Sequence, residues 1–523
     1  MLFNSYYFIF LFFPLTLLGF HLISKTGDHL KVTIWLIGMS LFFYGWWNPI
    51  YIPLIVTSII INYLCGAVLI KSPKKFFLVF GIIFNLSLLS YFKYAHFISS
   101  NLSILTGQFI IIEKIVLPLA ISFFTFQQIT YLVDSYRGET KHYNFWNYTL
   151  FVTFFPQLIA GPIVQHKEIL PQLENKLLNR LNVKHLSIGI TLFFLGLFKK
   201  VIIADGIAVK ATPVFNAAEQ IGSTLTFFEA WGGALAYSIQ IYFDFSGYSD
   251  MALGLARMLG IILPANFCSP YKASSIIDFW RRWHMTLSRF LRNYLYIPMG
   301  GNRKGEFRKH FNIMITMLLA GLWHGDNWTF VIWGGLHACF LIINHLWRLY
   351  LKKFQHLNVN IKPLKLKKIT RVVAITTGKL ITFLAVVIAW VIFRCESLEG
   401  ARRFYEGMFG LNGFSIPNKL SPILGTLTNC FPNIHIVAEG LGSFGSSSSI
   451  ITLLLLILFS WTAPNTLELM QNYKPALALN KELIRKPIIF WKPSRLWSLV
   501  IAIAAIISLT NLYRVSEFLY FQF

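Results

Sequence analysis

Apolar residues run through this chain in long blocks separated by short polar stretches. A bilayer core about 30 Å thick needs about 20 apolar residues per crossing helix. Blocks of that scale fall at 6–23, 32–48, 50–70, 76–98, 115–133, 186–207, 226–245, 311–325, 327–350, 377–395, 450–470 and 496–514. Two more, 147–164 and 248–265, are apolar but interrupted by proline or polar residues, which predicts re-entrant or partly inserted segments. The pattern predicts an all-α polytopic membrane protein with about 11–13 crossings. It reads as a single membrane domain over 1–523 with a core at about 115–350.

Composition supports the membrane reading. Of 523 residues, 55% are hydrophobic and only 13% charged, where soluble domains carry about 25%. Aromatics reach 17%, with 50 Phe, as suits lipid-facing and interfacial helices. The net charge of +25 would suggest nucleic acid on a soluble protein. Here the basic residues sit in short loops between apolar blocks, so they report topology and headgroup attraction, and no nucleic-acid partner is expected. Lys71, Lys74 and Lys75 mark one cytoplasmic loop, Arg137 and Lys141 another, Lys352, Lys353, Lys362, Lys365, Lys367, Lys368 and Arg371 a third, and Arg485, Lys486, Lys492 and Arg495 a fourth. The near-neutral, Gly- and Ser-rich loop 396–449 reads as external, which places the N-terminus outside. No internal repeat of the inverted-transporter kind is visible. The start, Met1-Leu2-Phe3-Asn4, lacks a basic n-region and a cleavage site, so the first block reads as a retained span. The five cysteines, Cys65, Cys268, Cys339, Cys395 and Cys430, form no C-x-x-C pair and read as buried thiols.

Residues 240–337 differ from the rest, because polar and charged groups are dense there within apolar sequence. Ionisable groups at membrane depth are costly and point to function. Ser275 and Asp278 resemble a capping box opening a helix over 276–296. On such a helix Trp280, Trp283, His284, Leu287, Leu291, Tyr294 and Leu295 share an arc of about 120°, with Arg281, Arg282, Arg289 and Arg292 opposite. That predicts an amphipathic interfacial helix with His284 on its apolar face. Arg303, Lys304, Arg308 and Lys309 form the next basic turn, and His324 lies about 22 Å along the helix that follows Lys309.

Each candidate has a plain reading beside the functional one. His324 is either a core histidine hydrogen-bonded between helices or a general base, since an imidazole takes a hydroxyl proton near neutral pH. His284 is either an interfacial histidine among aromatics or a second active-site group that orients the acceptor or the acyl carbonyl. His337 reads as packing against a neighbouring helix, and Asp244 and Asp250 as ties between helices, with a proton path as the alternative for the two aspartates. The arginines at 281, 282, 289 and 292 contact headgroups or the phosphates of a donor. No metal site is expected, since no Cys or carboxylate cluster accompanies the histidines, and neither a G-x-S-x-G elbow nor a P-loop is present.

Several motifs in order resemble the membrane-bound O-acyltransferase family, in its bacterial alginate O-acetyltransferase-like branch. They are Phe3-Asn4-Ser5-Tyr6, Leu117–Gln127, Leu158-Ile159-Ala160-Gly161-Pro162-Ile163, Tyr242–Met251, the Asp278–Gly301 block, Gly321–Gly325 and the terminal Phe518–Phe523. The resemblance runs nearly the whole chain. It implies a ring of helices around a thin catalytic centre, reached by a funnel. It places the family's catalytic histidine, in Trp-His-Gly, on His324 and its second functional histidine, in Trp-His-Met, on His284. Substrate contacts are expected from Trp283, Trp323, Arg281, Arg282 and Asp278. It implies an acetyl thioester such as acetyl-CoA as donor substrate, no bound cofactor, an SGNH-type extracytoplasmic partner, and a place in the bacterial inner membrane. Asp326 departs from the small residue expected after His324-Gly325 and stands where it would perturb the imidazole. The competing readings are a transporter of lipid-linked glycan or acyl groups and a lipid acyltransferase of the same family.

Overall fold

The computed structural model describes residues 1–108, 112–113, 115–158, 161–174, 182–357, 366–415, 436–437, 442–479, 482–484, 487–514 and 519. Cys430, Lys362, Lys365, Arg485, Lys486, the Ile159-Ala160 pair and nearly all of the terminal Phe518–Phe523 motif lie outside them, as do the side chains of Lys352, Lys367, Lys368 and Arg371.

The chain is built of α-helices. Strand structure among the described residues is confined to a two-residue parallel pair, Phe414–Ser415 with Ile436–Val437, and a single bridge between Pro264 and Leu477. Among the described residues, six helical stretches are long and apolar enough to cross a bilayer: Tyr7–Ser24, Pro49–Lys71, Lys75–Thr106, Val183–Glu219, Trp328–Leu351 and Val372–Arg394. Three shorter apolar helices, His29–Gly45, Ser447–Thr462 and Arg495–Thr510, match further expected blocks. The blocks at 226–245 and 311–325 are helical almost throughout, in Phe227–Met258 and Gly305–His324, whereas the block at 115–133 is helical only from Ile121, in Ile121–Tyr136. They differ from the plain spans by being short or by carrying polar side chains. The interrupted block 147–164 forms helix Phe145–Thr153 and a single turn Phe155–Leu158, and 248–265 ends its helix at Met258.

The span 1–523 divides into two compact units that alternate along the chain. The first comprises 1–202, 245–266 and 465–522. Its helices are tied by buried amides. Asn85 donates to Asn62 Oδ1 at 2.6 Å and Asn62 to Asn85 Oδ1 at 3.3 Å, and Gln128 donates to Ser58 Oγ at 2.9 Å. Within apolar surroundings such pairs hold helices together, because apolar burial alone discriminates poorly there. Helix Val183–Phe198 meets the segment from Phe245 onward backbone to backbone. A Cβ on Gly196 would stand 2.5 Å from the Gly247 carbonyl oxygen. Asp250, expected to tie helices, does so: Lys199 Nζ lies 2.6 Å from its carboxylate, so the buried charge is met by its opposite.

The second unit comprises 203–244 and 267–464 and holds every candidate site residue. Its central piece is the hairpin of Gly305–His324 and Trp328–Leu357. A Cβ on Gly321 would lie 2.2 Å from the Phe330 carbonyl oxygen, and one on Gly334 2.2 Å from that of Met317. Only glycine permits this approach at the two facing positions. Asn327 starts the second helix by accepting from Thr329 N–H at 3.0 Å, and it donates to the Glu396 carbonyl at 2.7 Å. The turn after His324 is thereby fixed to the end of helix Leu366–Arg394.

The helix expected over 276–296 is broken, which corrects the sequence reading. Ile276–Trp280 and Met285–Leu291 are separate helices, and a wider π-turn follows over Arg292–Tyr296. His284 sits at the break in a left-handed backbone conformation, φ 42° and ψ 53°. Ser275 does cap the first helix, accepting from Asp278 N–H at 3.2 Å, but the Asp278 carboxylate turns back to Ser274 N–H at 3.4 Å instead of completing the box. Of the cysteines read as buried, Cys65, Cys268 and Cys395 are so, whereas Cys339 is exposed on the outer face of its apolar helix.

Candidate active site

His324 is the last residue of helix Gly305–His324, with extended Gly325 ending it. Its side chain is nearly sealed, 4% exposed. Rings stand edge-on around it, with Trp323 at 4.9 Å, Trp333 at 5.1 Å and Phe393 at 5.2 Å between centroids. An apolar wall of this kind lowers the local dielectric and strengthens any electrostatic interaction made inside it.

His284 is completely buried. Its ring lies 6.1 Å from that of Trp323, which also stands 4.9 Å from His324. The two histidines, 40 positions apart in sequence by their numbers, are therefore brought to one tryptophan. A left-handed backbone at a non-glycine residue is strained and persists only where the surroundings impose it, which is common at functional sites.

The other expected contacts divide. Trp323 lines the centre. Trp283 is buried against Trp390 at 4.9 Å, Phe267 at 5.0 Å and Phe279 at 5.7 Å, so it backs the site from the side of the broken helix. Asp278 and Arg282 pair at 2.9 Å, and Arg282 also donates to the Cys268 carbonyl at 3.3 Å. These bonds fix the fold of the segment that carries His284. Arg281 is exposed, as is Asp326 beyond the Gly325 turn. Asp244 is buried. Among the described residues no group of three or more His, Cys, Asp or Glu side chains converges as a metal site.

Three residues at the site escaped the sequence reading. Trp390 and Phe393 project from helix Leu366–Arg394 onto Trp333, at 5.8 Å and 5.0 Å, and Phe393 reaches His324. In sequence they are two more aromatics in an apolar span, and nothing there tells an inward ring from a lipid-facing one. Trp333 lay within a motif already singled out, Trp333-Gly334-Gly335-Leu336-His337, and its spacing of four from His337 was the available signal.

Residues 67–387 match the membrane-bound O-acyltransferase (MBOAT) family. The chain is 42% identical over 446 residues to a peptidoglycan O-acetyltransferase of Helicobacter pylori, covering 80% of this chain and 81% of that protein. It is 40% identical over 427 residues to a probable alginate O-acetylase of Pseudomonas aeruginosa, covering 80% and 76%. A teichoic acid D-alanyltransferase of Streptococcus thermophilus is 27% identical over 292 residues, covering 53% and 68%.

Proposed function

The chain belongs to the membrane-bound O-acyltransferase family, and from that premise we propose that it moves an acetyl group from a cytoplasmic thioester to an extracytoplasmic hydroxyl of an envelope polysaccharide, with His324 as general base. The multi-pass chain would act from the bacterial inner membrane, with acetyl-CoA or a related thioester as donor and no resident cofactor. An SGNH-type partner outside the membrane would carry the acetyl group to the polymer.

The chemistry needs few groups. An imidazole nitrogen of His324 takes the proton of the acceptor hydroxyl as its oxygen bonds to the thioester carbonyl carbon. The tetrahedral oxyanion collapses, the C–S bond breaks, and the leaving thiolate takes back the proton from the imidazolium. The products are an ester and a thiol, and the histidine is regenerated. The apolar walls of Trp323, Trp333 and Phe393 exclude water, which would otherwise hydrolyse the donor. His284, behind Trp323, is assigned to orienting the acceptor or the acyl carbonyl. Trp283, Asp278 and Arg282 hold the segment that carries His284, and exposed Arg281 is available to the phosphates of an anionic donor.

The observation that carries this reading is the placement of His324, an imidazole 4% exposed inside an apolar cage at a helix end, with a second buried histidine across one shared ring. The test is His324→Ala in the full chain, expressed in cells lacking the native protein. Alkali-labile acetyl on the envelope polymer should fall by about 10²-fold or more while the variant accumulates normally in the membrane. Undiminished acetylation would overturn the assignment, and labelled acetyl found in lipid instead of polymer would change the acceptor.

A further inference from the structure

His337 stands one turn beyond Trp333 on helix Trp328–Leu357 and has no part in the reaction above. Its side chain is completely buried. Rings enclose it: Trp333 at 4.8 Å, Trp280 at 5.1 Å, Phe340 at 5.8 Å, Phe279 stacked at 6.3 Å and Trp390 at 6.4 Å. Among the described residues neither Nδ1 nor Nε2 has a hydrogen-bond partner. Three of the rings are indoles, yet none of their N–H groups is bonded to either nitrogen, and the aromatic faces offer the ring N–H only a weak contact. A buried polar group left in this state carries its full desolvation penalty, which an apolar side chain of the same shape would avoid. Packing alone therefore gives no reason for an imidazole here.

We propose that His337 is a positioning residue that hydrogen-bonds a secondary amide in the arm of the acyl donor and so holds the thioester carbonyl at His324, an inference that rests on the acyl-transfer reading. A neutral imidazole presents one donor and one acceptor, and a secondary amide presents the complementary pair within one slender group. A sugar hydroxyl offers both as well, but on a bulky hydrated ring that a cage of five aromatics does not favour. Thioesters of coenzyme A and of carrier proteins share such an arm, with its first amide two carbons from the sulfur.

Position supports the assignment. His324 and His337 flank the same indole, Trp333, at 5.1 Å and 4.8 Å. From Trp333 to His337 the helix advances about 6 Å, away from the His324 end and toward the end that carries Arg348 and Lys353. A donor with an anionic head at that basic end would pass His337 before its carbonyl reached His324.

The test compares two acetyl donors that differ in the arm, S-acetylpantetheine, which has amides, and S-ethyl thioacetate, which has none. The full chain is used in membrane vesicles, and thiol release is measured against His324→Ala as background. The wild type should favour the amide donor by about tenfold in kcat/KM, the scale of one buried hydrogen-bonded pair. His337→Leu should collapse that preference toward unity while leaving the amide-free donor unchanged, and His337→Gln, which keeps a donor and an acceptor, should retain it. The ratio of donors does not depend on how much protein folds, and His337→Met serves if the Leu variant fails to reach the membrane. An equal fall with both donors would make His337 a packing residue and overturn the proposal, as would a wild type with no preference or an unchanged ratio in the Leu variant. Equal thiol release by wild type and His324→Ala would sink the acyl-transfer reading itself, and this inference with it.

Discussion

At His284 backbone and side chain make separate demands. The residue holds φ 42° and ψ 53°, a region costing an L-residue about 1 kcal/mol or more and open to glycine and, to a lesser degree, asparagine. Two effects of substitution can therefore be separated. His284→Gly removes the ring but relieves the backbone, whereas His284→Ala removes the ring and keeps the strain. Both should lose acetyl transfer, yet in detergent the Gly protein should melt above the Ala protein, by the equivalent of about 1 kcal/mol. Identical melting temperatures would show that no strain resides at this position, and full activity in His284→Gly would remove the imidazole from the mechanism. That His324 and His284 lie buried among aromatics was legible from sequence, because an ionisable group in an apolar setting stands out against its neighbours. The left-handed turn was not, since the apolar arc Trp280, Trp283, His284 and Leu287 fits an unbroken helix equally well. The break is held by tertiary contacts that the sequence does not display, the packing of Trp283 against Trp390 and Phe267 and the bond from Cys268 N–H to the Arg282 carbonyl at 2.9 Å.

Among the helices, the pairing of Gly305–His324 with Trp328–Leu357 sets the geometry of the site. Gly321 and Gly334 face each other with their Cα atoms close enough that a Cβ on either would stand 3.2 Å from the other's Cα, besides meeting a carbonyl oxygen at 2.2 Å. The obstacle in each case is backbone, which cannot swing aside as a side chain can. Gly321→Ala or Gly334→Ala should therefore destabilise the protein by about 1–3 kcal/mol, the usual cost of overpacking. Acetylation should fall with it, because His324 follows Gly321 by three residues and Trp333 precedes Gly334. A thermal melt of each variant beside the wild type checks this, and an unshifted melt with full activity would contradict it. Most helices were readable from the apolar blocks, since length and hydropathy alone define a crossing. The close approach of this pair was not, because a glycine in an apolar span marks small size without naming the surface it meets. The inward aim of Trp390 and Phe393 was hidden for the same reason.

For the whole chain, the distribution of basic residues makes a topological claim. The loop between helices Ile52–Lys71 and Lys75–Leu89 carries Lys71, Lys74 and Lys75, and the near-neutral loop before helix Ser447–Thr462 carries serines. By the positive-inside rule the first is cytoplasmic and the second external. With the native cysteines replaced, Ser448→Cys should react with a membrane-impermeant thiol reagent in intact cells, and Ser72→Cys only after permeabilisation. The reverse pattern would invert the protein and with it the side from which the donor arrives.

The backbone contact at Gly321 and Gly334 has one more consequence. Two rods touching main chain to main chain have no compressible layer of side chains between them, so they neither slide nor part by small steps. His324, Trp333 and His337 thus ride on one rigid block with fixed spacings. Breathing that lets a long, narrow molecule enter and leave must be borne by whatever leans on that block: the kinked stretch around His284, held by the Asp278–Arg282 clasp, or the aromatic tip of helix Leu366–Arg394.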